Sequence, residues 1–138
     1  MSRRLRTLFA LSAAALSLAA VARQEPARAE PTRQVQTTLD RVYTDEQAAR
    51  GKVLFGDICI VCHTDPFWRE GWEGRSLADL YVLINRFMPD DNPGSLTGKE
   101  VAEVLAYILK TNDLPAGQSV LPADELLLRS VLIVPGAR

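Results

Sequence analysis

Cys59-Ile60-Val61-Cys62-His63 is the stretch that decides how this chain folds. Two thiols three positions apart, with a histidine directly behind the second, match the spacing for covalent attachment of haem c. Each thiol can add across one haem vinyl group to give a thioether, and two intervening residues hold the sulfurs at roughly the vinyl separation. The position of His63 beside the second anchored cysteine brings its imidazole beneath the iron, where a neutral ring nitrogen serves as the proximal ligand. Five consecutive residues would thus supply both attachment and ligation.

The chain contains two cysteines and one histidine. A zinc site needs about four such ligands, so zinc is a poor reading. A thioredoxin-like dithiol pair at Cys59 and Cys62 is the more serious alternative, because an electropositive neighbour such as His63 lowers a thiol pKa. That alternative calls for alternating strands and helices around the motif, and the flanking sequence reads as helical.

Upstream, Ser2-Arg3-Arg4-Leu5-Arg6 is a basic start followed by an apolar run from Leu8 to Ala22, 15 residues long. This reads as a secretory signal peptide over residues 1–29, cleaved after Ala29, with Ala22 as an earlier possible site. The run is shorter than the about 20 residues of a spanning helix, so no stable membrane span is expected after cleavage. General secretion fits better than twin-arginine export, and the expected destination is the periplasm. Removal of five arginines and one glutamate from 16 basic and 17 acidic residues leaves 11 and 16, a formal charge of −5. No basic stripe remains to follow a phosphate backbone, which argues against nucleic acid as a partner. A protein presenting lysines or arginines would be steered toward this surface.

The remaining residues fit one domain. Residues 30–43 are polar and read as a loosely held N-terminal arm; residues 44–138 form the domain, with 114–138 as a C-terminal extension. Thr44-Asp45-Glu46-Gln47 is a capping box that opens a helix carrying Ala48, Gly51, Leu54 and Phe55 up to the cysteines. Ser76-Leu77-Ala78-Asp79 caps a second, whose apolar face is Leu77, Leu80, Tyr81, Ile84 and Phe87. Pro89 disfavours helical geometry at Met88, so the chain should turn extended there. Thr97-Gly98-Lys99-Glu100 is a further capping box, opening a helix with Val101, Val104, Leu105 and Ile108 on one side and ending near Asn112 and Pro115. The expectation is an all-α fold of three main helices plus loops, with no convincing strand, packed around one haem.

Taken together, Cys59-Ile60-Val61-Cys62-His63, the loop Met88-Pro89, Gly51 and Phe55 in the preceding helix, and Val104 and Tyr107 in a late one resemble the class I c-type cytochromes. The resemblance spans residues 44–113. It implies the small class I cytochrome c fold with one covalent haem c at Cys59 and Cys62, His63 as proximal and Met88 as distal iron ligand. A thioether is a soft, neutral donor that stabilises ferrous iron. The same resemblance places the first and last helices in close crossing, Gly51 and Phe55 against Val104 and Tyr107, where glycine permits the approach. The chain departs from the family in a short loop from Thr64 to Arg75 and in lacking a clean Gly-Pro-x-Leu after the motif. Pro66 or the turn at Gly74 would have to replace the carbonyl that holds the proximal histidine.

Phe67, Trp68 and Trp72 crowd this loop as core walls or as indole donors to a haem propionate. Arg75 and Arg86 are candidate propionate partners, although isolated arginines are more often solvated. In the tail, Pro122-Ala123-Asp124-Glu125 can start a short helix. Leu126-Leu127-Leu128 and Val131-Leu132-Ile133-Val134 are too apolar to stand exposed as one patch, and wrapping the domain is preferred to covering a partner.

An iron saturated by His63 and Met88 has no free position for small-molecule chemistry, so the expectation is an electron-transfer protein and not an enzyme. The stretches Pro93-Gly94-Ser95-Leu96-Thr97, Leu105-Ala106-Tyr107-Ile108-Leu109-Lys110 and Pro115-Ala116-Gly117 look like cytochromes associated with quinoprotein dehydrogenases. That resemblance implies a dehydrogenase as electron donor and a terminal oxidase or another cytochrome as acceptor. The alternative, if Met88 does not bind, is an open-coordination haem protein with peroxidase-like or gas-binding activity.

Overall fold

Three hydroxyl side chains start the three long helices of the computed structural model, which describes residues 35–64 and 71–136. The signal-peptide reading of residues 1–29, together with Pro66, Phe67 and Trp68, lies outside the described residues. Helix α1 spans Asp45–Leu54, and its Thr44 Oγ1 accepts from the Gln47 amide at 3.2 Å. Helix α2 spans Leu77–Phe87 behind Ser76, and α3 spans Gly98–Thr111 behind Thr97. Both of the latter carry a complete capping box: Asp79 returns a bond to the Ser76 amide at 3.1 Å, and Glu100 returns one to Thr97 at 2.7 Å.

The box expected at Thr44 is only half made. The side chain of Gln47 turns away and grips the Leu121 backbone, Nε2 donating to its carbonyl at 2.9 Å and Oε1 accepting from its amide at 2.8 Å. Burial decides the choice. Leu121 lies inside, where its backbone groups need partners.

The apolar faces pack as their spacing predicts. Leu77, Leu80, Tyr81 and Ile84 of α2 are buried, as are Val101, Val104, Leu105, Ile108 and Leu109 of α3. Phe87 departs from that face and is exposed, because it is the last helical residue before the chain extends. Helix α1 crosses α3 at Gly51, where an added Cβ would stand 1.8 Å from the Glu103 carbonyl oxygen and 3.0 Å from the Val104 nitrogen. Beyond the crossing, Phe55 meets Tyr107 with ring centroids 5.5 Å apart and planes tilted by 58°. Arg50 Nε bonds the buried Glu103 carboxylate at 2.6 Å on the same crossing.

The segment before α1 corrects two expectations. Gln36–Thr37 is a short strand, β1, paired in parallel with β2, Val131–Leu132, in the register Gln36 to Val131 and Thr37 to Leu132. Far from being loosely held, residues 36–43 are fastened: Thr38 is buried, its amide donates to Leu132 O at 2.9 Å, and its hydroxyl bridges the carbonyl and amide of Val134 at 3.2 and 3.1 Å. Tyr43, also buried, donates its hydroxyl to Leu114 O at 2.6 Å, and the Gly117 amide donates to Tyr43 O at 2.7 Å. A strand of two residues is too short for an alternating pattern, which is why polarity alone suggested an arm.

The tail wraps the domain, as preferred, although Leu126 and Leu127 stay exposed. Asp124 caps the four-residue helix α4, Glu125–Leu128, and Leu128, Val131 and Ile133 are buried. Ile133 is bracketed by two bonds of 2.9 Å, its amide donating to Arg75 O and its carbonyl accepting from the Gly74 amide. All described residues belong to one compact unit, mostly helical, with the β1–β2 pair as its only named strands. Among the described residues no helix is long and apolar enough to cross a membrane.

Candidate functional site

Helix α1 does not stop at Leu54. It widens into a π-helical turn, Phe55–Cys59, in which the Ile60 amide donates five residues back to Phe55 O at 3.0 Å. Widened turns of this kind are frequent at functional sites. The chain then tightens, because Cys59 O accepts from both the Cys62 amide at 3.2 Å and the His63 amide at 2.9 Å. Cys59, Cys62 and His63 are therefore positions i, i+3 and i+4 of one helical turn, a spacing that brings side chains to one side. Both cysteines are free thiols.

The three donors differ in surroundings. Cys59 is half-buried, and burial pushes its thiol pKa up, whereas Cys62 and His63 are exposed. A raised pKa keeps the Cys59 thiol protonated near neutrality, the reverse of what a reactive dithiol site requires. Cys59 packs against the hydrophobic core, as do the partly buried Leu54, Ile58, Trp72, Met88 and Tyr107.

Met88 is the first residue beyond α2. Its backbone is extended, φ −116° and ψ 148°, while its amide still donates to Ile84 O at 3.1 Å. The following proline accounts for the extension, since its ring disfavours helical geometry at the residue before it. The thioether is held at the end of a fixed helix, half-buried against the core.

The loop residues have partners of their own. The Arg75 guanidinium lies 4.4 Å from the centre of the Trp72 ring, and Arg75 Nε stands 3.8 Å from Asp79. Arg86 lies 3.6 Å from Glu125. Both arginines proposed as propionate partners thus already face carboxylates. No described residue hydrogen-bonds the His63 imidazole, so the Gly74 turn does not supply the carbonyl expected of it.

The donor chemistry can be tested against the implied cofactor. Among the described residues no three His, Cys, Asp or Glu side chains converge as a bare metal ion would need. A porphyrin brings four nitrogens of its own and asks the protein for one or two axial donors and, in haem c, two thiols. One imidazole, one thioether and two free thiols fit that demand. The Gln47 grip on Leu121 and the Arg50–Glu103 pair were missed in the sequence, where polar residues of a helix read as solvent-facing. Arg50 and Glu103 carried no motif signal, and the one at Gln47 pointed to its own helix cap.

Comparison with protein-family models, curated proteins and solved structures finds no match to this chain.

Proposed function

We propose that the protein is a periplasmic single-electron carrier of the class I cytochrome c kind. One haem c would be held by thioethers at Cys59 and Cys62, with His63 and Met88 as axial ligands. The observation that carries this reading is the shared acceptor at Cys59 O, which gathers both free thiols and the only histidine into one turn. When bound, haem supplies an iron that takes up and releases one electron. The protein's share would be to anchor the vinyl carbons and to present an imidazole and a soft thioether. The Gly51 crossing with α3 and the Phe55–Tyr107 contact support the reading, because that helix pair is what the class I resemblance implies. The donor is proposed to be a dehydrogenase, of the quinoprotein kind by resemblance, and the acceptor a terminal oxidase or another cytochrome.

The test is the mass and the optical spectrum of protein matured in a periplasm with haem-attachment machinery. The expected result is one haem added by mass, a sharp low-spin reduced spectrum, the near-infrared band of ferric methionine ligation, and no change under carbon monoxide. The Met88→Ala variant is expected to keep its covalent haem and lose that band. A haem-free mass with two alkylatable thiols would replace the carrier with a dithiol protein. A wild-type spectrum that shifts with carbon monoxide would replace it with an open-coordination haem protein.

A further inference from the structure

Where the N-terminal segment meets the tail, the two leave a cavity between them. Its volume is about 280 Å³, just below the usual range of small-molecule sites. Val42, Val120, Leu121, Leu127 and Val131 line it with apolar surface, and Arg41 is the one base among the described residues that line it. Val120 and Leu127 are 63% and 58% exposed, so the core does not hold either of them there. Cys59, Cys62, His63 and Met88 are not among the lining residues, which makes this site independent of the haem reading.

Arg41 is an unusual residue for its backbone. Its φ is 56°, in the left-handed region that Gly, Asn and Asp enter most readily. The facing loop fixes it there: a Cβ on Gly117 would come within 2.2 Å of the Arg41 carbonyl oxygen and 2.7 Å of its Cβ. Arginine at such a place serves through its side chain, not through its turn. Arg41 is exposed and joins no ion pair among the described residues. The one acid among the described lining residues, Asp40, is engaged in its own turn, where Oδ2 accepts from the Thr37 amide at 2.6 Å and the Thr37 hydroxyl at 3.0 Å. A positive charge thus stands unanswered beside apolar walls.

Those two surfaces select the occupant. An extended peptide would need backbone partners, but both main-chain groups of Thr37 are taken by Asp40, the amide by its carboxylate and the carbonyl by its amide at 3.0 Å. An amphiphile needs none. We propose that this cavity binds a single-chain carboxylate amphiphile, a medium-chain fatty acid by class, with its head on Arg41 and its chain against Val120 and Leu127. The guanidinium fork matches a carboxylate, and the two exposed side chains lose their contact with water. Because both ends of the chain build the cavity, the ligand also holds β1 against β2.

The test titrates sodium decanoate, kept below its micelle concentration, into the periplasmically matured protein and reads amide chemical shifts. The expected result is a saturable shift centred on residues 36–42, 119–122 and 127–131. Arg41→Gln should weaken binding about tenfold or more, because a charge-assisted bond is lost. Leu127→Ser, at an exposed position the core does not need, should weaken it several-fold. With decanoate at about ten times its Kd, hydrogen exchange of the Thr38 amide, which bonds Leu132 O, should slow about tenfold. Decyltrimethylammonium, with the same chain and the opposite charge, should not reproduce these shifts. Scattered or non-saturating shifts, or wild-type affinity in both variants, would overturn the site. Binding to anionic phospholipid vesicles without binding of free decanoate would overturn it too, and would make this surface a membrane contact.

Discussion

The glycine at position 51 carries the tightest contact between α1 and α3. A methyl group there would stand 1.8 Å from the Glu103 carbonyl, and the obstructing atom is backbone, which has no rotamer with which to yield. Alanine gains about 1 kcal/mol over glycine in helix propensity. Forcing two packed helices apart costs about 1–3 kcal/mol and at times more. The obstruction is backbone, so the cost falls in the upper part of that range, and Gly51→Ala is expected to lower unfolding stability by about 1–2 kcal/mol in urea titrations. The same experiment has an internal contrast at Gly56, where an added Cβ meets nothing within 4 Å, so Gly56→Ala should not destabilise. At this scale the sequence was informative: a mid-helix glycine, a Cys-x-x-Cys-His run and a Met-Pro pair each announce a constraint through residue type alone. The burial of Cys59 did not announce itself, because it follows from how the π-helical turn meets the core.

Helices α1, α2 and α3 were legible because each begins at a hydroxyl cap and repeats apolar residues every three or four positions. The links between elements were not. Gln47 illustrates the gap: its place three residues after Thr44 satisfied a capping rule, yet its amide serves a backbone 74 positions away. Long-range partners of this kind leave no local pattern. Gln47→Leu, similar in volume, would strand the Leu121 amide and carbonyl in a buried place. Each stranded group costs about 1–3 kcal/mol, so a loss of about 2–6 kcal/mol is expected. Hydrogen exchange should localise the damage to the 118–122 loop and the first turn of α1, while the Phe55–Tyr107 end stays protected. A uniform loss of protection would show instead that the grip holds the whole domain.

Across the molecule, the N-terminal segment and the tail close on each other around the helices, and Tyr43 sits under that closure. Burial, with the Asp45 charge adding to it, pushes the Tyr43 pKa up to about 12 from the usual 10. The folded chain therefore holds its proton to higher pH than the unfolded chain does. Between about pH 10 and 12 the folded state binds more protons, so stability falls as pH rises through that window. Tyr43→Phe should remove Tyr43's part of this fall, leaving the shallower contribution of Tyr81, which burial also raises. At neutral pH the same variant should lose about 1 kcal/mol for the Leu114 carbonyl left without its donor. Urea midpoints at pH 8 and pH 11 measure both effects. The pairing of β1 with β2 has one further consequence. A polypeptide grows from its amino end, so Gln36 and Thr37 wait without a partner until Val131 and Leu132 have been made. Every intermediate on the ribosome is an open chain at this seam. Cys59, Cys62 and His63 have emerged dozens of residues before the clasp can shut, which leaves an interval for covalent modification before folding encloses Cys59.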